Sequence, residues 1–233
     1  MPEIGMCYYP PFGENLEKGL QIIKQDCIEH GFDMNIAPID ENMLYKMEKL
    51  DYDLKENKIF SSYIYTLEEL AFFKNSKIKK QTIKKFEKEH PSAFYKVVKK
   101  EDFPAILEFI EQWRQSQNVL QDRFYFARLN SIKCLMEHLY EFDLMAIMLQ
   151  EKEKIYGIAI GSKMENMVYL HLNLALDTIA GAPEELIACF CRNALRYARF
   201  LNMEEDMGNK EVKKMLQEYK PYKMEAFYST FRL

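Results

Sequence analysis

Residues 144–177 read LMAIMLQ-EKEK-IYGIAIGSKM-EN-MVYLHLNLALD. Three apolar runs joined by two short polar turns, Glu151-Lys152-Glu153-Lys154 and Glu165-Asn166, are the pattern of a β-meander. Alternation along the third run places Val168, Leu170, Leu172, Leu174 and Leu176 on one face, and Tyr169, His171, Asn173, Ala175 and Asp177 on the other. The first set suits a core against helices. The second predicts that His171 and Asn173 point the same way, toward a cleft or toward solvent.

Composition narrows the class around that sheet. The chain has 233 residues, 48% hydrophobic and 14% aromatic, enough apolar material for a packed core and too much for a disordered chain. Eight Gly and eight Pro leave no linker or low-complexity tract. A net charge of -4 gives no general attraction to nucleic acid or anionic lipid. Cys7, Cys27, Cys134, Cys189 and Cys191 lack CxxC spacing, and His30, His90, His138 and His171 form no metal-spaced pair. Free thiols in a reducing cytoplasm are expected, with no metal and no cofactor. No signal peptide is read, and no apolar run reaches the length of a membrane span.

Toward the N-terminus the pattern is strand (4–9), helix (14–30, closed by Gly31), strand (32–37), helix carrying Met43, Leu44 and Met47, and strand (58–65). A helical bridge follows over 67–90, opened by Thr66-x-x-Glu69 as a capping box. Its lysines Lys77, Lys80, Lys84 and Lys88 fall along one stripe. That stripe is either a solvated face or an anion-binding ridge for phosphate or RNA. After Pro91 the expected order is strand (93–98), helix (102–116), helix (121–141), the three-stranded meander, helix (184–200), a short segment at 203–206, helix (209–219) and strand (224–231). Trp113 shares the face of Phe103, Ile106, Leu107 and Ile110, so it reads as core.

From Ala93 on, this is the element order of the GNAT acyltransferase fold, an α/β (α+β) architecture of one mixed sheet with helices on both faces. The N-terminal stretch repeats the last five elements: the strand near Tyr8 answers that near Leu170, and the helix at 14–30 answers that at 184–200. The expected division is therefore a partial N-terminal GNAT-like lobe with its bridge (1–91) and a complete GNAT-like domain (92–233). A half unit cannot bury its sheet alone, so it should pack on the complete unit or on a second copy of the chain, as a homo-oligomer.

With its basic bridge, this layout resembles the family of the C-terminal domain of phosphatidylglycerol lysyltransferase and its stand-alone relatives, within the FemABX-like transferases. The resemblance covers nearly the whole chain. It is carried by Tyr63-Ile64-Tyr65-Thr66-Leu67-Glu68-Glu69-Leu70-Ala71, by Ile83-Lys84-Lys85-Phe86-Glu87-Lys88-Glu89, and above all by Asn202-Met203-Glu204-Glu205-Asp206-Met207-Gly208 followed by Tyr219-Lys220-Pro221. The front half of the family's first lobe is missing here. The family's bridge commonly carries Lys-Arg-Asn-His-Ile-Asn where this chain has Lys79-Lys80-Gln81-Thr82-Ile83-Lys84. Its central strand often shows Phe-Glu-Lys where Leu172-Asn173-Leu174 stands. Its later Arg, Lys and Ser are answered by Lys213, Leu216 and Glu218.

The resemblance implies aminoacyl transfer, with aminoacyl-tRNA as donor and a lipid headgroup or small molecule as acceptor. Glu204, Glu205 and Asp206 are then candidates to seat a cationic amino acid, or else a solvated turn. His171 and Asn173 are candidates at a cleft, or structural groups. Tyr219 is a candidate donor to a developing oxyanion, or a packed aromatic. Lys213 is a candidate phosphate partner, and Lys77, Lys80 and Lys84 are candidates for phosphate or RNA. Two alternatives stand beside it. One is a catalytically degenerate GNAT-fold binding protein. The other is an acetyl-CoA-dependent N-acetyltransferase, for which the single glycine of Leu176-Asp177-Thr178-Ile179-Ala180-Gly181-Ala182 makes a poor pyrophosphate cradle.

Overall fold

The computed structural model describes residues 7–116, 123–206 and 208–230, with the backbone alone described for Ser116 and 123–128. Residues 4–6 of the expected first strand, 121–122 of an expected helix, Met207 of the acidic stretch and Phe231 of the expected last strand lie outside the described residues. In chain order the elements are α1 (Leu16–His30), α2 (Glu41–Glu48), β1 (Lys55–Glu56), β2 (Ser62–Thr66), α3 (Leu67–Phe72), α4 (Lys77–Glu89), β3 (Ala93–Val97), α5 (Phe103–Ser116), α6 (Arg123–Glu137), β4 (Met145–Glu151), β5 (Lys154–Met164), β6 (Met167–Ala175), α7 (Ala182–Ala194), β7 (Phe200–Glu205), α8 (Lys210–Glu218), β8 (Lys223–Glu225) and β9 (Tyr228–Ser229). Seven strands form one mixed sheet in the order β3-β4-β5-β6-β7-β2-β8, and β1 pairs with β9.

The chain divides into two compact units. One unit holds the residues up to Ile64 together with those from Glu204 on; the other is Tyr65–Met203. In the first unit, Asn15 caps α1 by accepting from the Lys18 N–H, and Gly31 ends the helix in the left-handed region at φ 68°, where only glycine is free of steric cost. Leu20, Ile36, Ile39 and Met47 form its core, with Leu16, Met43, Leu44 and Tyr228 packed around them. Among the described residues of the expected strands at 4–9 and 32–37, the pairing is one parallel bridge, Tyr8 to Ile36. The last segment of the chain returns to this unit. β9 pairs with β1, β8 pairs with β2, and Thr230 Oγ1 both accepts from the Ile36 N–H and donates to the Met34 carbonyl. The expected single strand at 224–231 is thus split in two.

The second unit holds the meander. β3, β4, β5 and β6 pair antiparallel in sequence, and β7 joins β6 in parallel. The β6–α7–β7 crossover repeats the parallel Tyr8–α1–Ile36 arrangement of the first unit, the internal likeness expected from the sequence. The turn residues Lys152 and Glu165 take φ 55° and 53°, as tight hairpins require.

α7 lies on one face of the sheet and also packs against α3 and α4; α5 lies on the other face. Two strand glycines make the α7 contact close. A Cβ on Gly157 would meet Leu186 Cδ2 at 2.8 Å, and one on Gly161 would meet Phe190 Cζ at 2.9 Å. The helix expected over 184–200 ends at Ala194. Tyr197 is exposed, and Leu201 lies in β7.

The expected bridge is two helices rather than one. Thr66 caps α3 by accepting from the Glu69 N–H, and Phe73 ends it in the left-handed region at φ 43°. Ser76 then caps α4 by accepting from the Lys79 N–H. Between α4 and the sheet, Glu151 accepts from Tyr156 Oη at 2.6 Å and from Ser92 Oγ at 2.7 Å, and lies 3.0 Å from His90 Nδ1. These hydrogen bonds, Tyr156 first, lower its pKa to about 2. Burial and the bond to Glu151 push Tyr156 up to about 12.

Candidate functional site

The centre of the second unit is a fault in β6. Its register with β5 shifts between Ile160 and Gly161: Ile160 pairs with Leu172, whereas Gly161 pairs with Leu170. One extra residue, His171, is inserted as a bulge. The strict alternation expected over 168–176 therefore fails. Leu170, Asn173 and Ala175 lie across from Gly161, Ala159 and Gly157 on the α7 face, while Leu172 and Leu174 lie across from Ile160 and Ile158 on the α5 face. His171 also falls on the α5 side, with its Nε2 2.8 Å from Ser162 Oγ. His171 and Asn173, expected to point the same way, are on opposite faces. Among the described residues, the buried Asn173 Oδ1 has no hydrogen-bond partner.

At the same place β6 leaves β7. The parallel ladder runs Met167–Phe200, Val168–Leu201 and Tyr169–Asn202, while β6 continues to Ala175. Beside this stretch, under α5 and α6, is a cavity of about 320 Å³ bounded by Trp113, Arg114, Ile132, His171, Leu172 and Leu174. The walls are mainly apolar, with His171 and Arg114 as polar contributions; Arg114 is itself paired with Glu111. Trp113, expected in the core, lines the cavity instead. Sequence reading missed Trp113, Arg114 and Ser162. Ile110, Trp113 and Arg114 stand at helical spacing on one face, which was the available signal.

The lysines expected to meet phosphate or RNA are placed consistently on one helix. Lys77, Lys80 and Lys84 are exposed on α4, and Lys80 Nζ donates to the Lys74 carbonyl. Lys79 turns inward and pairs with Glu184 at 2.8 Å.

The acidic stretch belongs to the first unit, at the end of β7. Glu204 takes φ 58°. Glu205 is half-buried, and its pKa is raised by burial first and then by the neighbouring Glu204 and Asp206. Asp206 is buried and committed: its Oδ2 accepts from Tyr63 Oη at 2.6 Å and its Oδ1 from the Gly208 N–H at 2.8 Å. Burial, the same hydrogen bond and the Asp206 charge raise the Tyr63 pKa. Lys213 is half-buried on α8, and Tyr219 is buried just after it.

Comparison with known proteins sets these features in a family context. The family model described as "Phosphatidylglycerol lysyltransferase, C-terminal" matches residues 3–230. A conserved protein of unknown function from Bacteroides thetaiotaomicron superposes with a TM-score of 0.86 at 20% identity, covering 96% of this chain and 78% of that one. The C-terminal domain of a putative lysylphosphatidylglycerol synthetase from Agrobacterium fabrum gives 0.65 at 13% identity, with 95% and 75% covered. FemX gives 0.63 at 9% identity, with 98% and 82% covered. These likenesses establish a fold shared with the synthetase domain and with FemX. No curated protein sequence matches. Among the described residues, no helix is long and apolar enough to cross a membrane.

Proposed function

This chain belongs to the family of the phosphatidylglycerol lysyltransferase C-terminal domain, and from that premise we propose that it moves an aminoacyl group from aminoacyl-tRNA to an amine or hydroxyl acceptor, a lipid headgroup or a small molecule. The observation that carries the reading is the departure of β6 from β7 at the His171 bulge. A strand that leaves its neighbour frees backbone N–H groups, which are suitable donors to the carbonyl oxygen of an acyl ester as it gains negative charge. The acceptor nitrogen or oxygen attacks the ester carbonyl carbon and loses its proton to a base. The carbon–oxygen bond to the tRNA ribose then breaks, and the ribose oxygen takes a proton. His171, at the cavity rim with its ring held by Ser162, is our candidate for that base.

The exposed row Lys77, Lys80 and Lys84 supports an RNA donor, since lysines on one helix face can follow a phosphate backbone. Within the first unit, taken by itself, Glu204 and Glu205 are candidates for a cationic group. Asp206 is better read as the residue that holds Tyr63 and the turn at Gly208. Lys213 remains a candidate phosphate partner. Tyr219 is buried, which favours its packing role over oxyanion donation.

A catalytically degenerate binding protein is the second reading. It is favoured by the separation of His171 from Asn173 and by the apolar cavity wall at Leu172 and Leu174. Acetyl-CoA dependence is disfavoured by the start of α7. Glu184 and Glu185 occupy its first turn, and a Cβ on Gly181 would lie 2.9 Å from Phe86 Cβ and 3.0 Å from the Thr82 carbonyl oxygen. A helix start packed this closely leaves little room beside its backbone for a pyrophosphate.

The test is incubation with radiolabelled lysyl- and alanyl-tRNA, in parallel with acetyl-CoA, over a panel of amines and phosphatidylglycerol vesicles. Protein-dependent transfer from tRNA, falling about 100-fold in His171→Ala, is the expected result. Replacing Lys77, Lys80 and Lys84 with Glu should weaken tRNA retention and make what remains less sensitive to salt. Retained ligand without turnover would favour the binding-protein reading, and acetyl transfer would replace the donor assignment.

A further inference from the structure

The cavity under α5 and α6 has a size and a lining that select what can enter it. Its volume of about 320 Å³ exceeds the roughly 150 Å³ at which a hole lined by leucine, isoleucine and phenylalanine takes up benzene. Ile110 and Ile132, 3% and 9% exposed, belong to the packed core. Trp113, Leu129, Leu135, Leu172 and Leu174 are only half-buried, so part of each side chain still meets open space. All of them lie within the second unit, on α5, α6 and β6. A wall of partly covered apolar side chains is stabilised when an apolar group displaces the water against it.

The polar side chains at this wall are Arg114, Ser131 and His171. Among the described residues that bound the cavity, none is a carboxylate. Glu111, one helical turn before Arg114, is committed elsewhere: Arg114 Nε donates to both its oxygens at 3.1 Å, and Gln115 Nε2 donates to Oε1 at 3.2 Å. An ammonium entering here would give up its water beside a guanidinium, with no anion at the wall to pair with, and burial of a charge on those terms is unfavourable. An apolar wall with a few polar groups is the usual form of a small-molecule site. The cavity also begins where β6 leaves β7, just past the Tyr169–Asn202 pair, so a group held in it lies beside the strand that frees its backbone N–H groups.

We propose that this cavity seats the side chain of the transferred amino acid, and that it selects an uncharged apolar one, aromatic or branched aliphatic, over the ammonium of a lysyl group. The proposal rests on the acyl-transfer reading of the same site and adds the class of donor to it. Phenylalanyl and leucyl groups are favoured and lysyl is rejected, with alanyl, which fills little of the space, in between.

The methyl esters of Nα-acetyl-L-phenylalanine, Nα-acetyl-L-leucine and Nα-acetyl-L-lysine share one neutral backbone and differ only in the side chain. Their binding to the whole chain, read by ligand-observed NMR and calorimetry, needs neither tRNA nor an acceptor. The phenylalanine and leucine esters should bind saturably, about tenfold or more tighter than the lysine ester. Leu135→Asp, which sets a carboxylate at the wall, should reverse that order. Trp113→Ala should weaken the phenylalanine ester about tenfold and is the deciding variant if Leu135→Asp fails to fold. No saturable binding, equal binding of the three esters, tighter binding of the lysine ester, or phenylalanine-ester binding unchanged in folded Trp113→Ala would each overturn the assignment. Transfer from phenylalanyl-, leucyl- and lysyl-tRNA to the amines and phosphatidylglycerol vesicles is measured in parallel. Ester selectivity without transfer from any of the three would overturn the transfer reading while the apolar site stands. Transfer that favours lysyl-tRNA would overturn the apolar selection while the transfer reading stands.

Discussion

Single residues decide how this protein handles its buried charge, and Glu151 is the clearest case. Its pKa is lowered from about 4.5 to about 2 by Tyr156, Ser92 and His90. A carboxyl group depressed on folding contributes stability above its unfolded pKa and loses that contribution as pH falls through the folded value. Glu151→Gln should therefore lower the melting temperature by a few degrees at neutral pH. The gap to the parent protein should close between about pH 4.5 and pH 2, the span set by the shift; a gap unchanged with pH would contradict the network. At this scale the candidate site was only partly legible. Lys77, Lys80 and Lys84 could be placed on an exposed face because helical spacing is periodic and lysine prefers water. Asp206 could not be distinguished from a ligand carboxylate, because its partner Tyr63 is 143 residues away and no local pattern connects them.

Among the elements, the meander was readable and its defect was not. Hairpin turns, strand lengths and the order of β4, β5 and β6 follow from alternating polarity and polar turn residues. The bulge at His171 reverses the facing of everything after it, yet leucines stand on both sides of the break, so the pattern looks unbroken. The two glycines of β5 were a signal left unused: Gly157 and Gly161 lie four apart on one face, where a strand admits a helix at close range. Gly161→Ala tests that contact, since the new Cβ would lie 2.4 Å from the Tyr169 carbonyl oxygen and 2.9 Å from Phe190 Cζ. Backbone on one side and a packed ring on the other leave little room to yield. The expected loss is about 1–3 kcal/mol, measured from the urea midpoint. A variant as stable as the parent would show that α7 can ride up from the sheet.

Across the whole molecule, the repeat was legible because both copies carry a strand–helix–strand crossover of similar length. The return of the last segment to the first unit was not, since short strands such as β8 and β9 carry too few residues for periodicity to register. Removing residues 223–230 takes away the partners of β1 and β2 and the Thr230 bonds to Met34 and Ile36. Limited proteolysis should then cut within residues 8–61 at enzyme concentrations that leave the full chain intact, while Tyr65–Met203 stays protected. Equal resistance would mean that α1 and α2 hold their core unaided. On the ribosome, the same connectivity sets an order of events. The interior unit is contiguous and can close as it leaves the exit tunnel. The stretch made first must wait, incompletely paired, until residues translated after that unit come back to it, and through that interval it is the part of the nascent chain that a chaperone would find open.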